Sequence, residues 1–292
     1  MGKYFLLGLL LYAIILSTRI LIVAIWSLYH RESIRKNIDI TLGIVALETL
    51  FFSAVVGGGW FIADLLESQS APIVLAFCVL FVSIIPSYHY MIRPIVYLVL
   101  SKKYEMSPEL EDFLRRNGFD YRVRIIRNRS TGAYATGVLP FSKTILIGAD
   151  LVAKMPKDQL HSLVFHEVGH LKHNHLAKLC MVHLIVTACF VTALFIFDYK
   201  GQHIFTSYPF VQPLGFALWG FMGGLAWWYL PGKVQRRMEF QADVYAAERS
   251  GSKALIAALR TLDTLSKGKV SKGGITHPSL LKRARYIQVH SH

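Results

Sequence analysis

The sequence predicts a polytopic α-helical membrane protein of about five spans that also carries a small α+β domain with a short β-sheet. Apolar residues make up 53% of the 292 positions, which is more than the roughly 45–50% of ordinary soluble domains. Five apolar stretches reach the ~20 residues that a helix needs to cross a bilayer. The polar segments between them alternate between helix-like and strand-like patterns. A membrane is therefore part of the fold.

The five stretches are the predicted spans. The first is interpreted as a retained span and not as a signal peptide, because its apolar run exceeds the usual ~7–15 residues and no small-residue cleavage site follows. Inside the first two spans, Arg19 and Glu48 fall at similar depth, which predicts an ion pair between them. The alternative is that the side chains snorkel to the membrane surface or occupy water-lined positions. The spans comprise Tyr4–Leu28, Ile38–Leu65, Ala71–Tyr90 with apolar character to Leu100, Leu176–Phe197 and Phe210–Leu230.

Spans and polar segments alternate, which divides the chain into four parts. An N-terminal transmembrane region of three spans (1–100) is followed by a first polar segment (101–175). A transmembrane hairpin of two spans (176–230) and a second polar segment (231–292) complete the chain. Because two spans separate the polar segments, both lie on the same side of the membrane.

The formal net charge of +14 is explained by the membrane. The Lys and Arg residues are scattered over the loops without the stacking aromatics or reader motifs of nucleic-acid-binding proteins, so no nucleic-acid partner is predicted. Nearly all of them lie on the side of the two polar segments, whereas the opposite loops, including 198–209, carry only Lys3 and Lys200. Since cytoplasmic loops are enriched in Lys and Arg, the polar segments are predicted to be cytosolic.

Within the polar segments, periodicity and turn residues predict short elements. Helices are expected over Ser107–Asn117, over Asp158–His175 and around Arg236–Asp243, and strands over Arg122–Ile126, Ala133–Gly137 and Thr144–Ile147. The cysteines lie in apolar runs without paired C-x-x-C spacing, so they indicate neither a disulfide framework nor a structural zinc site. They are Cys78, Cys180 and Cys189.

The central motif is HEVGH at positions 166–170, inside a predicted helix. Residues i and i+4 lie on the same face of a helix, so His166 and His170 can hold one Zn²⁺ while Glu167 projects beside the bound water as a general base. Other histidines that flank this helix, among them His173 and His175, are interpreted as ordinary polar residues.

A catalytic zinc site of this kind needs a third protein ligand from another segment. Glu239 is the candidate, because the chain returns to the same membrane face after two spans. Asp243 lies one turn further along the same helix and is suited to hold the distal N–H of a ligand histidine. The alternatives are a solvated carboxylate for Glu239 and a surface charge for Asp243. One Zn²⁺ per chain is predicted.

Three motifs together resemble the membrane-integrated gluzincin zinc metalloproteases, a family that includes HtpX and the CAAX prenyl proteases. They are H-E-x-x-H at 166–170, E-x-x-x-D at 239–243, and Thr276-His277-Pro278 followed by Arg283. The resemblance covers roughly residues 122–283 and implies a small cytosolic zincin-type catalytic domain, built from the two polar segments. The predicted localisation is that of a multi-pass protein of a bacterial cytoplasmic membrane, and the distribution of Lys and Arg predicts an active site facing the cytosol.

The resemblance assigns further residues to the site. It implies that His277 donates a hydrogen bond to the oxyanion and that Arg283 supports the site carboxylates. It also implies an edge strand that binds substrate, formed by Ala133, Tyr134, Ala135, Thr136 and Gly137. Gly132 departs from the family pattern, in which asparagine is common at this position.

The expected function is a zinc metalloendopeptidase that cleaves membrane or membrane-associated proteins on the cytosolic side, in quality control or processing. The expected partners are a protein or peptide substrate and the lipid bilayer. Two alternatives remain. One is a catalytically silent scaffold or chaperone of the same fold, for which Glu167 would have no purpose. The other is a protease-type signal transducer, which the short outer loops disfavour.

Overall fold

The computed structural model describes residues 71–100, 104–126, 131–208 and 210–290. The first two predicted spans, which contain Arg19 and Glu48, lie outside these residues. The chain divides into two compact units, one of residues 1–84 and 96–102 and the other of residues 85–95 and 103–292. All residues of the candidate site belong to the second unit.

Two stretches of the described chain are long and apolar enough to cross a membrane, Ile73–Val96 and His175–Gly201. In their most apolar windows only 13% and 17% of the residues are buried, whereas a core helix of a soluble protein would be mostly buried. They coincide with the third and fourth predicted spans. The fifth predicted span, Phe210–Leu230, lies among the described residues but is not one of these two stretches, so the total of five spans stays a prediction. The first stretch comprises helix α1 (Ala71–Ser87), a π-helical turn (Tyr88–Ile92) and part of helix α2 (Arg93–Leu100).

A four-stranded mixed sheet forms one layer of the second unit. Its strands are β1 (Tyr104–Met106), β2 (Arg122–Ile126), β3 (Ala133–Thr136) and β4 (Thr144–Gly148). Their order is β1-β2-β4-β3, with β2 and β4 parallel and the two outer strands antiparallel to their neighbours. No strand of the described chain lies beyond β3, so one side of its backbone is open to a further strand.

The motif helix packs between this sheet and the helices that follow it. It is α5 (Lys157–Lys172), preceded by α3 (Pro108–Arg116) and α4 (Ala149–Lys154). Residues 162–169 of α5 are all buried, so the helix has no solvent face over two turns. On the sheet side it contributes to a core with Val123, Ile145 and Ile147.

Further helices follow α5, and two long ones lead into and out of the predicted hairpin. They are α6 (His175–Ser207), α7 (Val211–Ser250), α8 (Ser252–Leu265), α9 (Lys269–Lys272) and α10 (Leu280–His290). The predicted boundary at residue 230 lies inside α7, which continues without a break into the second polar segment. On the other side of α5, Phe165 packs against apolar residues of α7, α8 and α10.

The elements of the first polar segment largely follow the sequence predictions. The three predicted strands and the helix after Ser107 are confirmed to within one residue at their ends, while β1 was missed. The prediction of a loop over residues 198–209 is wrong, because α6 continues to Ser207. Helical backbone hydrogen bonds do not require apolar side chains, so a helix can extend beyond the apolar stretch.

The C-terminal end of α5 is fixed by a lysine from the sheet layer. The helix ends at Lys172 and not at His175, because Asn174 adopts a left-handed conformation with φ of 53°. The Nζ of Lys143 donates to the carbonyl of Leu171 at 3.0 Å and to Oδ1 of Asn174 at 2.7 Å. A cation at this end also complements the helix dipole.

Replacing Lys143 by Met should therefore lower the free energy of unfolding by about 1 kcal/mol, because two hydrogen bonds from a charged donor are lost. Thermal unfolding of the purified protein in detergent measures the change. Lys157→Met is the matched control, since its ion pair with Glu109 is 81% and 72% exposed and such pairs contribute little. Equal unfolding temperatures for the two variants would contradict the assignment.

Candidate metal centre

The two histidines of the motif lie on one face of α5. Since positions i and i+4 are one turn apart, the rings of His166 and His170 are neighbours, and their Nε2 atoms are 3.2 Å apart. His166 is buried and the side chain of His170 is 12% exposed. Both rings therefore present the same nitrogen to one point.

Glu239 on α7 brings a carboxylate to this point. Its Oε2 lies 3.6 Å from Nε2 of His166, and its Oε1 lies 3.6 Å from Nε2 of His170. Ligand atoms at the usual distances from a tetrahedral zinc ion are about 3.3 Å from one another. The spacing of the three side chains in this protein therefore fits such an ion, and nitrogen and carboxylate donors suit zinc.

Close packing of α5 on α7 brings these side chains together. A Cβ atom on Gly169 would lie 3.1 Å from the Cα of Ala242 and 3.2 Å from the ring of Tyr245. Because Gly169 and Ala242 are small, the helix backbones can approach closely at this position. The approach occurs one residue from His170, which explains how Glu239 comes within reach of both histidines.

Asp243 and Arg283 form a buried ion pair behind the first histidine. Arg283 donates from Nε and Nη2 to the two carboxylate oxygens of Asp243 at 2.8 and 2.6 Å. Oδ1 of Asp243 lies 3.0 Å from Nδ1 of His166, on the side of the ring away from Glu239. Asp243 is 0% exposed, so this arrangement fixes the orientation of the His166 ring.

The charges of the cluster favour a cation at the point where the side chains of the two motif histidines and Glu239 meet. Burial opposes ionisation of Asp243, but the guanidinium of Arg283 outweighs it and holds the pKa of the carboxyl below its ordinary value. Burial likewise opposes ionisation of Glu239, but hydrogen bonds to His166 and His277 hold its pKa well below the ordinary value. Both carboxylates are therefore negative at neutral pH, and Arg283 balances one of these charges. Burial opposes protonation of His166, but hydrogen bonds to Asp243 and Glu239 outweigh it and raise the pKa of the imidazole to about 10, so a positive charge at His166 balances the other.

Glu167 lies beside the ligand cluster, against the edge strand. Its carboxylate faces the backbone N–H of Ala135 in β3. Burial raises the pKa of the Glu167 carboxyl to about 7. The side chain is therefore buried next to the cluster and near the backbone of the strand to which a peptide substrate could pair.

A cavity of about 580 Å³ adjoins the cluster. One wall is residues 133–135 of β3, and the opposite wall is the segment between α8 and α10, including Lys269 and His277. Tyr90, Leu176 and Leu179 also line it, and these three residues belong to the two candidate spans. The cavity therefore extends from the metal-ligand candidates to the helices that are suited to the membrane.

His277 and Arg283 reach the site from the C-terminal segment. His277 has a side chain that is 56% exposed, and its Nδ1 lies 3.2 Å from Oε1 of Glu239. Arg283 is buried, and its Nη1 lies 3.8 Å from Oε2 of Glu239. Both residues therefore lie next to the Glu239 carboxylate, which also faces His166 and His170.

Of the residues expected to bind substrate, Ala133, Tyr134 and Ala135 line the cavity, and the side chain of Tyr134 is exposed. Thr136 pairs with Thr144 at the end of β3 and is not among the lining residues. Gly137 follows the last residue of β3 with a φ of +87°, and a Cβ at this position would clash with the carbonyl oxygen of Ser142. Its conformation and surroundings therefore require glycine.

One histidine of the cluster, His175, was not predicted from the sequence. His175 is 2% exposed, and its Nδ1 lies 3.0 Å from Nδ1 of His170. Its Nε2 lies 3.1 Å from Oε1 of Gln241. The spacing of five residues from His170 does not match the helical repeat, and Asn174, in a left-handed conformation, separates the helices to which the two histidines belong.

Comparison with protein families gives a match over most of these elements. The family model described as Peptidase family M48 matches residues 105–290. Protease HtpX of Mannheimia succiniciproducens is 24% identical over 191 residues, which are 57% of this chain and 66% of that protein. CAAX prenyl protease 1 of Saccharomyces cerevisiae is 26% identical over 212 residues, or 61% of this chain and 46% of that protein. This chain thus spans between about half and two thirds of the length of these relatives.

Among solved structures, the crystal structure of Ste24p from S. mikatae is similar in fold. The TM-score is 0.60 at 18% sequence identity, and the match covers 87% of this chain and 66% of that one. The likeness supports the overall arrangement of a helical protein with a small mixed sheet.

Replacing Gly169 by a larger residue should weaken metal binding. In Gly169→Val the added side chain meets the backbone at Ala242, and overpacking of this kind costs about 1–3 kcal/mol. If the strain moves α7 away from α5, zinc affinity should fall about 10- to 100-fold, as measured by competition with a chromophoric chelator. Gly224→Val is the matched control, because nothing lies within 4 Å of a Cβ at that position of α7. Unchanged affinity in Gly169→Val would show that the close approach does not control the ligand geometry.

Proposed function

The chain belongs to peptidase family M48, and from this premise we propose that it is a zinc-dependent membrane endopeptidase. It would cleave membrane or membrane-associated proteins, in quality control or in processing. The observation that carries the proposal is the convergence of His166, His170 and Glu239 at distances of 3.2 to 3.6 Å, with the carboxylate of Glu167 beside them.

One zinc ion per chain would be held by these three side chains. His166 and His170 would bind it through Nε2 and Glu239 through its carboxylate, which is the donor set of a catalytic zinc site with an open position. Bound zinc supplies Lewis-acid chemistry, which makes water a nucleophile near neutral pH and polarises a peptide carbonyl. Asp243 keeps the His166 ring in the orientation that binding requires, and Arg283 keeps Asp243 ionised.

Proton transfer is assigned to Glu167. Its carboxylate takes a proton from the attacking water and later delivers it to the amine that leaves the cleaved bond. The position suits this role because the carboxylate is next to the ligands and to the backbone of Ala135. A substrate strand beside β3 would therefore bring its scissile bond close to this carboxylate.

Stabilisation of the oxyanion is assigned to His277. The ring lies at the wall of the cavity with Nδ1 facing Glu239, which leaves Nε2 as the ring nitrogen for a hydrogen bond with the substrate oxygen. Donors of this kind contribute on the order of 10²–10³ in kcat. Arg283 supports this arrangement by offsetting the negative charges of Asp243 and Glu239.

We assign substrate binding to the open edge of β3. A peptide that pairs with residues 133–137 would use backbone hydrogen bonds for affinity and side-chain pockets for selectivity. Tyr134, which is exposed and lines the cavity, is positioned to contact such side chains. The apolar wall at Leu176 and Leu179 favours substrates that emerge from a bilayer.

We assign the active site to the cytosolic face of a bacterial cytoplasmic membrane. The basic residues concentrate in the segments that form the site, whereas Lys3 and Lys200 are the cations of the opposite side, and such asymmetry orients membrane proteins. A silent scaffold or a signal transducer of the same fold remains the alternative, and the first experiment below separates cleavage from mere binding.

Replacing Glu167 by Gln should leave zinc bound but lower kcat on the order of 10²–10⁴-fold, because only the general base is removed. Replacing Glu239 by Gln should instead release zinc, because a ligand is lost. The measurements are zinc content and the cleavage of casein or of a membrane protein by the full-length protein in detergent. Glu248→Gln, an exposed site on the same helix, should change neither quantity.

Full cleavage by Glu167→Gln would contradict the assigned base. Zinc in the wild type without cleavage of any substrate would favour the scaffold, and a wild type that binds no zinc would refute the metal site.

Orientation is tested by cysteine labelling in whole cells. In a background without the three native cysteines, a membrane-impermeant maleimide added outside should label Lys200→Cys and not Lys157→Cys. Both positions are exposed, so permeabilised cells should label both. Labelling of Lys157→Cys in intact cells would place the site on the outer face.

A further inference from the structure

The ring of His175 lies directly behind the proposed ligand His170. The Nδ1 atoms of the two rings are 3.0 Å apart, and Nε2 of His175 is 3.1 Å from Oε1 of Gln241. His175 is 2% exposed, whereas the adjacent His173 and Asn174 are exposed. Both nitrogens of a buried ring are thus engaged, one of them with a residue of the metal cluster.

The positions of the donors and acceptors determine which nitrogens carry protons. A neutral histidine that binds a metal through Nε2 carries its proton on Nδ1. In His170 this proton points to Nδ1 of His175, which must therefore be the acceptor. A neutral His175 ring that accepts at Nδ1 carries its own proton on Nε2, and that N–H faces the amide oxygen of Gln241. The three side chains form one consistent chain of donors and acceptors.

We propose that His175 and Gln241 are positioning residues for the metal ligand His170. His175 accepts the Nδ1–H of His170 and so holds the ring in the tautomer that leaves Nε2 free for the metal. Gln241 accepts the Nε2–H of His175 and so selects the tautomer of His175. This inference rests on the proposed zinc site.

The two motif histidines are therefore held by different chemistry. His166 faces the carboxylate of Asp243, which is paired with Arg283, while His170 faces a neutral imidazole. Carboxylates and backbone carbonyls are the usual partners of a ligand histidine. Because His175 is the first residue of α6 and Gln241 lies on α7, the hydrogen bonds also join the ligand to the start of a candidate span.

The test is the zinc affinity of the purified full-length protein, measured by competition with a chromophoric chelator. His175→Leu removes the acceptor and should weaken zinc binding about 10- to 100-fold, as loss of such partners does at other sites. His173→Asn is the matched control at an exposed neighbouring histidine and should leave the affinity unchanged. The unfolding temperature of each metal-free variant separates a loss of zinc affinity from a general loss of stability.

A pair of amide substitutions tests the tautomer directly. The side-chain oxygen of Asn is as many bonds from Cα as Nδ1 of histidine, while that of Gln corresponds to Nε2. His175→Asn should therefore retain an acceptor for His170 and bind zinc within about 3-fold of the wild type, while His175→Gln should lose affinity as the Leu variant does. This pair decides the question even if His175→Leu does not fold.

Two outcomes would overturn the inference. If wild type and His175→Leu bind zinc equally, or if the Asn and Gln variants are equally weak, His175 does not set the tautomer of His170. A wild-type protein that binds no zinc refutes the proposed function itself, and this result is distinguishable because it appears before any variant is made.

Discussion

Glu239 and Asp243 bury two negative charges one turn apart on α7. Buried charges are costly unless they are paired and hydrogen-bonded. Arg283 offsets much of this cost, because it binds Asp243 through two N–H groups and approaches Glu239 at 3.8 Å. Arg283 belongs to α10, so the cluster is complete only when the C-terminal helix has packed. The charge of Glu239 is directed at the two motif histidines, where either a proton on His166 or a bound cation neutralises it.

Packing around α5 makes that arrangement possible. The helix is enclosed by the sheet on one side and by α7, α8 and α10 on the other, so its motif side chains have fixed surroundings. Gly169 lets α7 approach within contact distance of the motif helix. Lys143 fixes the end of α5 by donating to the carbonyl of Leu171 and to Oδ1 of Asn174. The position of Glu239 relative to the histidines thus depends on small residues and on a cap that do not themselves touch a metal.

The proposed chemistry lies close to the helices suited to the membrane. The cavity is bordered by the open strand β3 and by residues of both candidate spans. His175 begins the second of these spans and contacts His170. A substrate strand that leaves a bilayer could therefore reach the edge of β3 and the buried carboxylate of Glu167 within one cavity. His175, the first residue of this span, also supports the orientation of the proposed ligand His170.

Residues whose role depends on local spacing were predictable from the sequence. His166 and His170 share a helix face, Asp243 follows Glu239 by one turn, and the strands of the first polar segment alternate. Residues whose role depends on packing were not. His175 looked like an ordinary polar residue, because its contact with His170 depends on how α6 begins after the left-handed Asn174. Gln241 gave no signal at all. The sequence by itself determined the proposed donor set and the family resemblance, since these follow from residue types at fixed intervals. Only the tertiary structure decided which nitrogen each ring presents and which side chain holds it, because hydrogen bonds between separate helices depend on how closely those helices pack.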